Sequence, residues 1–270
     1  MMTTGPSAPS AAHRQALTGR NIVVTRPEKQ AKELAELIRA EGGRAILFPA
    51  VEIIGAADLR PLRDSIDRLE QFDMAIFVSA NAVTNAMSAI VKRRTLPETL
   101  RIAAIGAASR NALLRYGVKQ VIHPTSRYDS EALLDLPELR DVVDKNIVIF
   151  RGQGGRELLG EILRKRGARI EYVECYQRVK PSGDPTLLKR LWANNELHAV
   201  TVTSSEGLRN LFEMMDATGK QMLREIPLFV PHQRIAEEAR KLGLAAAVVT
   251  DASDAGLVRG LIEWFWSKTG

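Results

Sequence analysis

Short apolar runs alternate with longer amphipathic stretches along most of the chain. IVVT near the start is followed by EKQAKELAELIRAEGG, whose leucines are spaced for one helical face, and then by RAILFP. Further Val/Ile-rich runs of four to six residues alternate with helical patterns of 10–15 residues. Continuous apolar runs of this length read as strands buried on both faces, which is how a parallel sheet flanked by helices is written in sequence. Glycines punctuate the helix ends at Gly42-Gly43, Gly117, Gly167 and Gly243, where a left-handed residue is commonly needed. The pattern predicts an α/β fold of doubly wound type.

The pattern also repeats. NIVVTR at 21–26 returns as NIVIFR at 146–151, a shift of 125 residues. Under the same shift FDMAIFVSANAVTNAM (72–87) falls on LHAVTVTSSEGLRNLF (197–212), so that Ser79 meets Ser204 and Asn85 meets Asn210. IAAIGAASRNALLRYGV (102–118) falls on PLFVPHQRIAEEARKLGL (227–244) with a slip of one residue that brings Gly117 onto Gly243. A register held across three separated blocks indicates an internal duplication, and hence two similar α/β/α domains with parallel sheets. Two extended, proline-containing connectors, PAVEIIGAADLRP (49–61) and ECYQRVKPSGDP (174–185), occupy matching positions. They permit the chain to cross between domains twice, with discontinuous domains as the result.

Composition narrows the field. A length of 270 residues suits two ordinary domains, and 45% hydrophobic residues suffice for two cores. The net charge of +6 favours polyanions in general, but basic residues are spread along the chain, and only 5% are aromatic, which argues against a stacking surface for nucleic acid. A single cysteine, Cys175, suits a reducing compartment. Residues 1–18, MMTTGPSAPSAAHRQALT, lack the apolar core of a secretory signal and read as a disordered leader. No apolar run approaches the ~20 residues of a membrane-spanning helix. These features together read as a cytoplasmic protein without membrane or nucleic-acid partners.

The candidate chemistry lies where strands give way to helices. NIVIFRGQGGRE offers a glycine-rich turn after a strand, but its spacing is G-x-G-G, no acidic residue follows at a ribose-binding position, and its copy TRPEKQ has no glycine. The copies share a strand-end arginine, Arg26 and Arg151, suited to carboxylate or phosphate. Ser79, Ser204 and Ser205 stand at strand-to-helix turns, where hydroxyls cap helices and free N–H groups hold anions. A third pair of turns offers Ser109, His232 and Arg234, and Asn81 and Gly152 complete the candidate set. The four histidines have no metal-ligand spacing, so no metal site is expected. Cys175 reads as packing, and Tyr176, beside a connector, as either core or a cleft-facing phenol. Three readings stand on the residues alone: an enzyme acting on a polyanion, a two-lobed sensor of small anions, and a nucleotide-dependent enzyme.

IVVTRP, IFVSANAV, IAAIGAASRNAL, SEALL, IFRGQGGRELL, RGARIEYVECYQRV, VTSSEGL and LFVPHQRIAEEARKLGL, in this order and spacing, resemble the uroporphyrinogen-III synthase family over about Gly19 to Trp266. The resemblance implies two α/β domains joined by a two-stranded connector with a cleft between them, the first about 19–50 plus 180–266 and the second about 54–174. It implies hydroxymethylbilane as substrate, a linear tetrapyrrole with eight carboxylates that loses its terminal hydroxyl as water, inverts ring D through a spiro intermediate and closes. It implies no cofactor, a monomer, and transient contact with the preceding pathway enzyme at most. The family's tyrosine for hydroxyl departure falls on Tyr176, and its hydroxyl-bearing turns fall on Ser79, Ser109 and Ser204. One departure is PHQR (231–234), where His232 and Arg234 replace the usual small and hydroxyl residues.

Overall fold

The computed structural model describes residues 15–155, 157–244 and 247–268. The chain divides into two compact units, one taking the segments up to Glu52 and from Val179 onward, the other Ile53–Arg178. The first unit opens with β1 (Asn21–Val24), α1 (Glu28–Ala40) and β2 (Arg44–Leu47), and β3 (Glu52–Gly55) carries the chain out of it. The second unit holds α2 (Arg60–Asp67), β4 (Met74–Phe77), α3 (Ala80–Ile90), β5 (Arg101–Ala104) and α4 (Ala107–Arg115). It continues with α5 (Ser130–Leu134), α6 (Pro137–Arg140), β6 (Asn146–Gly152), α7 (Leu158–Lys165) and β7 (Arg169–Val179). The chain then returns to the first unit through α8 (Thr186–Ala193), β8 (Ala199–Thr201), α9 (Ser205–Met214) and α10 (Ala217–Glu225). It ends with β9 (Leu228–Val230), α11 (Gln233–Lys241), β10 (Ala247–Val249) and α12 (Asp254–Trp266).

Each unit is built on a five-stranded sheet, in the order β10-β9-β8-β1-β2 in the first and β3-β7-β6-β4-β5 in the second. The duplication is visible in the hydrogen-bonded register itself. In the first sheet Asn21 pairs with Arg44 and Ile22 with Ala199, both in parallel. In the second, Asn146 pairs with Arg169 and Ile147 with Met74, which are the same partners moved by 125 positions. The β8–β9 and β4–β5 pairs, Val200 with Leu228 and Ala75 with Ile102, carry the one-residue slip. The helix-ending glycines follow suit: Gly42 and Gly167 have φ of +80° and +89°, Gly117 and Gly243 +83° and +73°, values that favour glycine.

The central strands are short and apolar because both faces are covered. In the first sheet Val23, Val200, Leu228 and Val230 pack with α8, α9, α10 and α11, while Ile22, Val24, Ala199 and Phe229 pack with α1 and α12. In the second, Ala75, Phe77, Val148 and Phe150 pack with α2, α3 and α4, and Ile76, Ala103, Ile147 and Ile149 with α5, α6 and α7. Alternate side chains of each strand thus enter opposite cores, giving two α/β/α domains. α1 shows how sequence sets this: Ala31, Leu34, Ala35 and Ile38 recur at helical spacing and all are buried. Among the described residues no helix is long and apolar enough to cross a membrane.

Two expectations need correction. Residues 15–18 are not part of a leader: Leu17 is fully buried in the core beneath α1 and α12, and its N–H bonds Glu41 O at 2.8 Å. A lone leucine in a polar stretch carries no periodicity that would reveal this. Residues 1–14 lie outside the described residues. The connector expected at 174–185 is in its first half a continuation of β7 through Val179, because buried residues persist at Val173, Cys175 and Tyr176 and the strand keeps its neighbours β6 and β3.

Candidate active site

β6 and β7 run in register as far as Arg151 with Glu174; the next pair is Gly152 with Tyr176. Cys175 is therefore the extra residue of a β-bulge, a device that re-aims side chains at the end of a ladder. Cys175 and Tyr176 would point to opposite faces of a regular strand, but here they are 1% and 2% exposed on the same side. The phenol ring lies against Gly152, so closely that a Cβ there would sit 2.5 Å from Tyr176 Cζ. Its oxygen is 3.1 Å from Ser79 Oγ and receives Arg178 Nη2 at 3.4 Å. Cys175 donates its thiol to Arg151 O at 3.2 Å, and burial pushes the thiol up to about 12. It is a packed residue, not a nucleophile.

The glycine-rich turn between β6 and α7 is closed by the protein's own groups. Gln153 N–H donates to Tyr176 O at 2.9 Å and Gly154 N–H to the Glu174 carboxylate at 3.3 Å. A phosphate-cradling loop needs those donors free, and the nucleotide reading fails here. Arg151 is 5% exposed, donates to Gly155 O, and stacks 4.6 Å from the Tyr172 ring centroid. Gly155 is small because a Cβ there would come within 3.3 Å of that guanidinium. Arg26 is likewise engaged, in an ion pair with Asp254 at 2.5 Å and with Thr203 Oγ1 at 3.3 Å. Both strand-end arginines, expected to receive carboxylates, are turned inward and brace their turns.

The strand-to-helix turns fall into two kinds, and the kinds repeat between units. Ser79 caps α3 by accepting from Ala82 N–H at 3.1 Å, and Ser204 caps α9 by accepting from Gly207 N–H at 2.9 Å. In contrast α4 begins after Gly106 and α11 after His232, and neither has a side-chain cap. Ile235 N–H turns back to His232 O at 3.0 Å, and the N–H groups ahead of it, like those at the start of α4, have no capping side chain and suit an anion. Ser109 lies in the first turn of α4, 4% exposed. His232 and Arg234 are exposed at the start of α11. Ser205 and Asn81 are half-buried in the first turns of α9 and α3, and Asn81 O accepts Asn85 Nδ2 at 2.9 Å. The structure thus gathers Ser79, Gly152 and Tyr176 into one contact set, with Asn81 on the turn of Ser79 and Arg151 on that of Gly152, and leaves Arg26, Ser109, Ser204, Ser205, His232 and Arg234 on other turns. Among the described residues no three His, Cys, Asp or Glu side chains gather to hold a metal ion.

A family model described as uroporphyrinogen-III synthase HemD matches residues 32–258. The chain belongs to the uroporphyrinogen-III synthase family. The uroporphyrinogen-III synthase of Escherichia coli (strain K12) is 34% identical over 236 residues, which cover 87% of this chain and 96% of that one. Among solved structures, a mutant uroporphyrinogen III synthase from the extremely thermophilic bacterium Thermus thermophilus superposes with a TM-score of 0.58 at 18% identity, over 92% of this chain and 99% of that one. The Helicobacter pylori 26695 enzyme gives 0.56 at 14% identity, over 91% and 99%. At such identities these structures speak to the fold, and the fold agrees. Family membership makes this chain a hydro-lyase of tetrapyrrole biosynthesis, a uroporphyrinogen-III synthase.

Two residues of the site escape a reading of motifs. Arg178 reaches the phenol from two positions along the same strand, and the alternation Tyr176-Arg178 is its only trace in sequence. Asp254 meets Arg26 from the far end of the chain, and no local pattern announces such a pair.

Proposed function

We propose that this chain acts on hydroxymethylbilane with Tyr176 as the proton donor to the departing hydroxyl, and that uncapped helix starts receive the substrate's carboxylates. The observation that carries the reading is the Tyr176 phenol itself. It is buried, held against Gly152 and bonded at its oxygen by Ser79, at the carboxyl edge of a parallel sheet, where such folds place ligands. A fixed acid near the leaving group supplies what loss of water requires. The resulting azafulvene is reactive enough that ring closure needs shape more than further catalytic groups.

The carboxylate donors of the second unit are the free N–H groups at the start of α4, with Ser109 beside them. The start of α11, with His232 and Arg234, is the matching uncapped helix start of the first unit. On this reading PHQR replaces hydroxyl donors with a cation and an imidazole, both suited to carboxylates. Ser79 and Ser204 act chiefly as caps, and Arg26 and Arg151 hold the turns in shape.

The test is turnover of hydroxymethylbilane with isomer analysis. Spontaneous closure yields the type I isomer, so the type III isomer is the enzymatic signal. Tyr176→Phe is expected to lower type III formation by more than about tenfold, with a loss of stability limited to the roughly 0.5–1.5 kcal/mol of the Ser79 contact. Near-normal turnover in that variant would remove Tyr176 as the acid.

A further inference from the structure

The hydrogen-bond inventory around Tyr176 is unbalanced in an informative way. A phenol oxygen carries one hydrogen and accepts up to two. Arg178 has no acceptor, so the 3.4 Å contact from its Nη2 is a donation to the phenol oxygen. Ser79 Oγ already accepts from Ala82 N–H as the cap of α3 and lies 3.1 Å from the phenol oxygen, a contact in which either hydroxyl can donate. When Ser79 donates as Arg178 does, the phenol keeps its hydrogen for a third group.

We propose that Arg178 and Ser79 form a donor pair that orients the Tyr176 proton toward the leaving hydroxyl, with Arg178 also holding the charge left when the proton departs. This rests on Tyr176 being the acid. In the step, the phenol proton passes to the substrate's hydroxyl oxygen and the C–O bond breaks with its electron pair leaving as water. The lone pair of the adjacent pyrrole nitrogen fills the vacancy, giving an azafulvenium cation beside a phenolate. Loss of the pyrrole N–H proton to the phenolate restores the phenol and leaves the neutral azafulvene. Negative charge thus appears transiently on the one oxygen that faces the Arg178 guanidinium, whose central carbon lies 5.8 Å from the ring centroid. A donor aimed at charge that exists only in the transition state accelerates the step without tightening substrate binding. Arg178 is a positioning residue that works through Tyr176. Its side chain is exposed, so its replacement leaves the fold intact.

The experiment is a cycle of Arg178→Ala, Tyr176→Phe and the double variant, assayed for type III formation. Arg178→Ala is expected to lower kcat by on the order of 10–100-fold with KM within about twofold. Arg178→Lys should recover part of the loss, and tens of millimolar guanidinium should partly rescue Arg178→Ala but not Tyr176→Phe. The double variant should be no slower than Tyr176→Phe alone, because a residue acting through the phenol has nothing to act on once it is gone. A rise in KM with unchanged kcat, or losses that multiply in the double variant, would overturn the relay and make Arg178 a substrate contact. Full activity in Tyr176→Phe would instead sink the acid assignment. If only Arg178→Ala retains full activity, the relay fails and the acid stands.

Discussion

Gly152→Ala is the sharpest probe of how the site is held. The φ at this position is not left-handed, so alanine meets no backbone penalty and the effect is steric. The new Cβ would lie 2.5 Å from Tyr176 Cζ, 2.7 Å from Cε2 and 2.9 Å from the phenol oxygen. Non-bonded carbons settle near ~3.5 Å, so the ring must retreat by roughly 1 Å. It has little room, being buried and hydrogen-bonded to Ser79. Overpacking of this kind costs about 1–3 kcal/mol, and loss of the Ser79 contact adds about 0.5–1.5 kcal/mol. The second unit should unfold at a midpoint lower by roughly 5–15 °C in calorimetry. A misplacement of about 1 Å at a reacting group lowers turnover by on the order of a hundredfold, read as type III isomer. Gly55→Ala is the control: a Cβ there meets nothing within 4 Å and the φ is not left-handed. A Gly152→Ala protein as stable and active as its parent would show that the phenol is not pinned as described.

Two further expectations concern titrating groups away from that contact. His198 Nδ1 accepts Asn21 N–H at 3.0 Å, and burial, aided by the Arg20 cation, holds its pKa below the ordinary 6.5. The unfolded chain therefore binds more protons just below pH 6.5, and stability should fall as pH drops through that window. Denaturant titrations of His198→Asn should show a shallower pH slope; an unchanged slope would exclude this histidine as the cause. Cys175, with its thiol pushed up to about 12 and 1% exposed, should react with a thiol reagent only as fast as the second unit opens. Rapid labelling of the native protein would contradict the bulge packing.

Much of the fold was legible because strands buried on both faces carry their pattern in every residue. NIVV and NIVI announce themselves, and a shift of 125 positions survives in the ladder register, from Asn21–Arg44 to Asn146–Arg169. Ser79 and Ser204 were readable as caps since capping is local, one side chain and one N–H three residues on. What stayed hidden depends on contacts between distant segments. The inward turn of Arg26 follows from Asp254, and that of Arg151 from the carbonyls and the Tyr172 ring around it. The glycines of RGQGG looked like a ligand's signature, yet Gly152 and Gly155 answer to Tyr176 and Arg151. The bulge at Cys175 has no sequence mark at all, and it is what brings Tyr176 inside.

The order of strands in the first sheet bears on how the chain is made. β1 sits between β8 and β2, so it leaves the ribosome long before its inner neighbour β8, which follows the whole of the second unit. The second unit, by contrast, is one unbroken segment, Ile53–Arg178, and owns all five of its strands once β7 has been synthesised. During translation β1, α1 and β2 must wait, carrying an uncovered strand edge, while the later unit is completed ahead of them. Of the two units, the one begun earlier is the one that closes later.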